Sequence, residues 1–421
     1  MKKYFLLLVM YTQVISSYSQ DFWEQLPFPF EASIRCIATN DQGDIFVGAG
    51  NDGDHGGVYR SMDDGQTWEF VLDMLTHSVL SIEINDEGTI YAGTNRGFPA
   101  LCVSYNNGVD WEELTLPSTQ NVVKILCTSP DTLYVSQWED YGAVLLRSND
   151  TGITWETLYT SDHTSEYVSD ISISGNGDIA ISLSGFFFEM GGVYKSTDNG
   201  ITWECAGLFN YQVRALEYNQ NNDLFIGVWS GFYVIGGGLF ALFNGESEIQ
   251  ELYYGPFVSD LVINSNSDIY FAIDGGGVIR TLDIGQTFEF VNQGLVGSGI
   301  LTIDNQDYIY NASDYGQNKV NRTIEPTVTS VESYFSSAYN RIRIVQNPAI
   351  DKLRARITWS DNYFGTSNVS IQDIAGRTFF KKSVDVSDDL IEVDVNMLVS
   401  GMYILLVQID SNYFSSKFIK L

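Results

Sequence analysis

Five stretches pair an acid or amide with an aromatic ring at one spacing: "SMDDGQTW" (61–68), "SYNNGVDW" (104–111), "SNDTGITW" (148–155), "STDNGITW" (196–203) and "TLDIGQTF" (281–288). Each places Asp63, Asn106, Asp150, Asp198 or Asp283 five residues before Trp68, Trp111, Trp155, Trp203 or Phe288. A carboxylate repeated beside an indole can serve as a general acid or base. The same residues also make a turn. A short acid accepts hydrogen bonds from turn N–H groups. The glycine two positions on supplies a positive φ, and the ring plugs the space beside the turn. Asn106 replaces the acid in one copy, which a turn tolerates and a general acid does not. The structural role is therefore the expectation for all ten residues.

Charge is the second chemical signal. The chain holds 22 basic and 53 acidic residues; residues 21–340 hold ten and 44 of these, a net charge of −34. Such a surface repels phosphate backbones and anionic lipid, so nucleic acid is excluded as a partner. Arg35 and Arg214 are two of those ten basic residues. They suit recognition of a carboxylate; the plainer expectation is pairing with Asp170, Asp260, Glu83 or Glu217. Aromatic rings cluster in three loops: Trp138 and Tyr141, Phe186 to Phe188, and Trp229, Phe232 and Tyr233. Beside carboxylates and glycines, they suit stacking on a sugar or a protein partner. Packing beneath their own loops is the alternative. Arg35, Arg214, Trp138, Tyr141, Phe187, Trp229 and Tyr233 are the candidate binding residues.

A repeat supplies the elements that would position these side chains. Seven gapless copies of a strand–turn–strand pattern, such as "IRCIATNDQGDIFVG" and "VSDLVINSNSDIYFA", begin at Ile34, Val79, Val122, Val168, Val213, Val258 and Ser298. Each period has room for four short strands, the content of a propeller blade. The fold class is all-β: a seven-bladed β-propeller over residues 21–325, with six blades as the alternative. The last repeat stops after its third strand, and "FWEQL" near the start resembles the "TWEFVL" after the first turn motif. Residues near Phe22–Pro27 therefore supply the missing outer strand and clasp the ring. Residues 326–340 read as a linker, and 341–421 as a small Ig-like β-sandwich. In propellers the loops between second and third strands share one face with the lead-ins to the first strands. The aligned second positions there are Arg35, Leu80, Val123, Ser169, Arg214, Ser259 and Gly299.

The S-x-D-x-G-x-T-W pattern resembles the Asp-box, or bacterial neuraminidase repeat. The resemblance implies a turn between third and fourth strands, remote from the functional face. It also brings sialidases, xyloglucan-degrading enzymes, sortilin-type receptors and non-catalytic propellers into view. The C-terminal "VQNPAIDKL", "IQDIAGRTFF" and "GMYILLVQIDSNYFSSKFIKL" resemble the sorting domain of the type IX secretion system of Bacteroidetes. Gly401, Tyr403, Lys417 and Lys420 fit its pattern, while Gln346 stands where a Tyr is usual before Asn-Pro. The resemblance implies engagement of that machinery, passage across the outer membrane, removal of the domain, and release or surface attachment.

Residues 1–20, "MKKYFLLLVMYTQVISSYSQ", read as a secretory signal peptide, and no later run is long enough for a membrane span. Cys36, Cys102, Cys127 and Cys205 are scattered singly, which argues against zinc; export permits disulfides, and three of the four, Cys205 aside, sit in apolar strand contexts that read as small buried fillers. "NDGDHGG" (51–57) has oxygen ligands without EF-hand spacing. No cofactor and no metal is expected, and a monomer is the expected state. A sialidase needs three arginines on the substrate carboxylate; "SIRCIA" is the nearest stretch and Arg96 a loose third candidate. A general glycosidase needs two facing carboxyls, for which Glu139, Asp140, Glu189 and Asp274 are available. The expected function is a secreted or cell-surface, non-catalytic propeller that binds a glycan or extracellular protein through its aromatic loop face. A sialidase-like or other glycoside hydrolase is the alternative.

Overall fold

Short apolar runs alternating with polar residues and broken by Asn, Asp and Gly turns favour strands over helices, and in the computed structural model every element among the described residues is a strand. The structure describes residues 21–421 except 51–55, 76, 96–98, 119, 140–141, 162, 164, 186–190, 232–235, 314–317, 329–340, 345–350, 359–364, 374–376, 387–389, 410–411 and 421. The signal-peptide segment and most of the linker thus lie outside the described residues. The chain divides into two compact units, Met1–Thr327 and Val328–Leu421.

In the first unit, seven four-stranded antiparallel sheets are described. Six are formed by consecutive strands, such as Ile34–Thr39, Ile45–Ala49, Gly56–Ser61 and Glu69–Leu75. The first strands of the sheets are Ile34–Thr39, Val79–Ile84, Asn121–Ser129, Glu166–Ile173, Tyr211–Tyr218, Val258–Ile263 and Ile300–Ile303. Each touches its counterpart in the next sheet, and the last touches the first. The sheets therefore form a ring around an axis lined by first strands, the arrangement of a β-propeller. Ile34, Val79, Val122, Val168, Val213 and Val258, at one position of the repeat, are fully buried. Each buried side chain of this size contributes about 1.5–3 kcal/mol.

The seventh sheet takes its outer strand from the other end of the unit. Trp23–Leu26 pairs antiparallel with Val320–Thr323, Trp23 opposite Thr323. Arg322 reaches Glu24 at 2.7 Å and Asp64 at 3.1 Å, so it ties the last sheet to both the first strand and the first sheet.

The five turn motifs join third to fourth strands. In one, Ser196 Oγ donates to Asp198 Oδ1 at 2.8 Å and accepts from Gly200 N at 2.8 Å. Thr202 donates its N–H to Oδ1 at 2.8 Å and its hydroxyl to Oδ2 at 2.6 Å. These bonds, the Thr202 hydroxyl foremost, push Asp198 down to about 2; Asp63, Asp150 and Asp283 are lowered by the equivalent threonines. The Asn106 copy reverses the polarity. There Asp110 replaces the threonine, and Asn106 Nδ2 donates to Asp110 Oδ2 at 2.9 Å. Both exchanges together keep the bond. The rings close the turns from the neighbouring side. Trp68 and Trp111 donate to Gly65 O and Gly108 O, each at 3.1 Å. Trp155 instead reaches back to Thr115 O, just after the outer strand of the preceding sheet, and Trp203 to Leu158 O within that of its own preceding sheet. Phe288 packs 4.9 Å from Tyr253.

In the second unit, a three-stranded sheet (Arg341–Ile344, Lys352–Thr358, Leu390–Asp394) and a four-stranded sheet (Thr378–Val386, Gly365–Asp373, Gly401–Ile409, Asn412–Lys420) are described. Leu353, Ile391 and Val393 of one and Val369, Ile371, Leu405 and Val407 of the other are buried.

Candidate functional site at the axial mouth

Strand polarity puts the turn motifs at one end of each sheet and the lead-ins to the first strands at the other. At the lead-in end the first six first strands share one irregularity. Pairing jumps from Ile34 to Cys36, Val79 to Ser81, Val122 to Lys124, Val168 to Asp170, Val213 to Ala215 and Val258 to Asp260. The skipped residue is bulged out, and bulges re-aim side chains. Arg35 and Arg214 are two of these skipped residues. They line one cavity of about 600 Å³ with Leu80 and Ser259, which are also bulged.

The Arg214 guanidinium carbon sits 5.2 Å from the Trp229 ring centroid. Trp229 in turn stacks with Phe257 at 5.5 Å. Trp229 therefore acts first as a support that holds Arg214 at the mouth, a cation–π contact worth about 0.5–1 kcal/mol when exposed. Among the described residues Arg214 makes no ion pair.

The opposite wall is the loop Asp274–Gly277 with the lead-in Asn292–Gly299. Asn292 binds this loop through its side chain, accepting from Val278 N at 2.8 Å and donating to Gly276 O at 3.0 Å. Gly277 is required here: its φ is +102° and a Cβ would come within 2.1 Å of Asn292 Oδ1. Asp274 is the one carboxylate among the residues lining the cavity.

Beneath the mouth lies the bore. Lys124 Nζ meets Asp170 at 2.8 Å and keeps 37% of its side chain accessible along the bore. Asp170 also accepts from Leu216 N of the next sheet at 2.8 Å, and Asp260 accepts from Leu301 N at 2.9 Å. Glu83 accepts from Cys127 N at 3.1 Å. These acids thus satisfy edge N–H groups of the neighbouring first strand, which would otherwise be unpaired. Glu217 is exposed to the bore. Confinement pushes Glu83 and Asp260 up to about 7 and Glu217 up to about 8, with Asp170 adding repulsion. Burial works against the Lys124 ammonium, but Asp170 and then Asp260 outweigh it and raise its pKa.

The candidate residues separate. Arg35, Arg214 and Trp229 share the cavity. Trp138 packs instead near Tyr167, at 5.9 Å, and is not among the lining residues. Tyr141, Phe187 and Tyr233 lie outside the described residues, as do Phe186, Phe188, Phe232, Arg96, Asp140 and Glu189. The channel acids have Lys124 and backbone partners, whereas Arg214 stands over Trp229. Phe257 and Asn292 were not singled out from sequence, and Ser298 stood only as the start of the seventh repeat. Ser298 donates to Ile273 O at 2.8 Å and so pins the same loop. Its position in a lead-in was the available signal. No cluster of three or more metal-ligating side chains occurs among the described residues. The four cysteines are free thiols; Cys36 and Cys102 are buried and Cys205 is exposed. Burial pushes the Cys36 and Cys102 thiols up to about 12, which makes them unreactive.

Residues 346–421 match the secretion system C-terminal sorting domain family. That domain marks the chain for export by the type IX secretion system to the cell surface or extracellular space, and implies contact with that machinery. No helix among the described residues is long and apolar enough to cross a membrane. No curated protein sequence gives a significant match. The fold is similar to three kinds of solved propeller. YCF48 bound to D1 peptide is 17% identical with a TM-score of 0.56, covering 72% of this chain and 97% of that one. PorZ, a surface component of the type IX secretion system of Porphyromonas gingivalis, is 14% identical with a TM-score of 0.53; 94% of this chain and 61% of PorZ are covered. The GH74 enzyme of Niastella koreensis is 14% identical with a TM-score of 0.55, covering 94% and 74%. At these identities the likeness is one of fold.

Proposed function

We propose that this secreted propeller protein is seven-bladed and non-catalytic, and that it holds a glycan or extracellular protein ligand at its axial mouth by a carboxylate on that ligand. The Asp-box turns are scaffold at the opposite end, and the Ig-like C-terminal domain is the export signal. One observation carries the reading. In a stretch of net charge −34, residues 21–340, two arginines line a single cavity, and the guanidinium of one, Arg214, lies on Trp229. Most other basic residues have scaffold work. Arg60, Arg147, Arg280 and Arg322 pair with Glu69, Glu156, Glu289 and Glu24, and Lys195 with Asp178. Catalysis is disfavoured because a glycosidase needs two carboxyl groups across the scissile bond, and Asp274 alone lines the cavity among the described residues.

Screening the full chain against arrays of acidic and neutral oligosaccharides and of peptides tests this reading. Retention of carboxylate-bearing ligands, lost in Arg35→Gln/Arg214→Gln, is the expected outcome. Hydrolysis of an arrayed oligosaccharide, lost in Asp274→Asn, would instead favour the glycoside hydrolase.

A further inference from the structure

We infer that the axial mouth is coupled to the bore beneath it, so that protonation of the bore carboxylates and capture of an anion at the mouth favour each other. This rests on the mouth being an anion site. The first strands supply every group involved. Arg35 and Cys36 come from Ile34–Thr39, and Glu83 from Val79–Ile84. Lys124 and Cys127 come from Asn121–Ser129, and Asp170 from Glu166–Ile173. Arg214 and Glu217 come from Tyr211–Tyr218, and Asp260 from Val258–Ile263. Ile300–Ile303 supplies no charge. Cys36 stays neutral because burial pushes it up to about 12, and burial also raises Cys127.

Only one ammonium thus stands among four carboxylates, and Asp170 already holds it at 2.8 Å. Burial pushes Glu83, Asp260 and Glu217 up to about 7, 7 and 8, and the field of that single ammonium, which they share, offsets this only in part. Geometry supplies the coupling. Glu217 follows Arg214 by three positions on one strand, on the order of 10 Å. In a passage walled by protein, charges at that distance still interact appreciably.

The sign follows. Below about pH 6 the three carboxyls are neutral and the bore does not oppose an anion held by Arg35 and Arg214. Above about pH 8.5 they are ionised and repel it. By reciprocity, a bound anion raises their proton affinity.

Two readings on the full chain test this. The first is titration of trigalacturonate at pH 6 and pH 8.5 against wild type and Glu83→Gln/Glu217→Gln. Wild type should bind about tenfold more weakly at pH 8.5, while the variant should lose most of that difference. The second is NMR titration of labelled carboxyls in wild type and Arg214→Gln. Removing the guanidinium should raise the midpoints of Glu83, Asp260 and Glu217. Equal binding at both pH values, or midpoints indifferent to Arg214→Gln, overturns the coupling and leaves the anion site standing. No binding at either pH overturns the anion site and the coupled capture with it, and midpoints that still respond then show only that Arg214 feels the bore carboxylates.

Discussion

The turn ring and the axial ring are built from the same repeat, and they treat their polar residues in opposite ways. At the turns, four copies repeat one set of bonds to the acid, and the fifth, Asn106, departs with a compensating Asp110. At the bulged position of the first strands the backbone irregularity recurs six times. The side chains there are Arg35, Leu80, Val123, Ser169, Arg214 and Ser259, with no common chemistry. Uniform chemistry on a repeated backbone is what a scaffold needs. A repeated backbone device with varied side chains is what a binding face needs, since a ligand does not share the symmetry of the ring. The aspartates that look catalytic are thus fixed, ionised turn acceptors. The arginines that line the axial cavity, Arg35 and Arg214, lie at the other end.

The largest effect that could break this contrast is at the mouth. Arg35→Gln/Arg214→Gln should weaken binding of an acidic ligand about 100-fold or more, since a hydrogen bond to a charged group contributes about 1.5–3 kcal/mol. Its thermal midpoint should stay near wild type. Calorimetric titration beside a melting curve reads both; a folded variant with undiminished affinity contradicts the assignment. Asp198→Ala should do the reverse. The melting midpoint should drop by a few degrees, as three bonds of the turn are lost, while ligand affinity stays within about twofold. A tenfold loss of binding there would place function in the turn ring.

Acid and alkali should separate the two regions in stability. Asp198 is held at about 2, so the folded turn binds fewer protons than the unfolded chain. Its stabilisation is present above the ordinary carboxylate pKa and is lost as pH falls through about 2. Glu83, Asp260 and Glu217 are held at about 7 to 8, so the folded bore binds more protons than the unfolded chain. Stability should then decline as pH rises through 7 to 8. Urea midpoints from pH 2 to 9 test both limbs, and Glu217→Gln should flatten only the alkaline one. The smallest effect concerns the reversed turn. Asn106→Asp sets two carboxylates against each other and should lower the midpoint slightly, and Asp110→Thr in the same chain should restore it. Failure of that rescue would mean the exchange is not compensatory.

The repeated parts were legible in sequence for a physical reason. A period of two, broken by Asn-rich turns at equal intervals, leaves little freedom but stacked sheets, and "TWEFVL" beside "FWEQL" exposes related outer strands. The mouth was legible only in outline. Alignment brings Arg35 and Arg214 to one position, but nothing in sequence says that this position is bulged, or that Trp229 carries Arg214 with Phe257 behind it. Nor does it show that Asn292, in an unremarkable lead-in, pins the Asp274–Gly277 loop. The acids Asp170 and Asp260 read as partners for the arginines because pairing is the usual fate of buried charge. Their bonds to Leu216 N and Leu301 N depend on how adjacent first strands meet, which no single repeat reveals.

The central claim is that a carboxylate-bearing ligand is held by Arg35 and Arg214 at the axial mouth. The most direct measurement is array binding of the full chain and its Arg35→Gln/Arg214→Gln variant, run on acidic ligands and on their neutral, carboxyl-reduced counterparts. The account predicts retention of the acidic ligand by wild type alone, and loss on reducing the carboxyl. Equal retention of acidic and reduced ligands, or equal retention by both proteins, would contradict it.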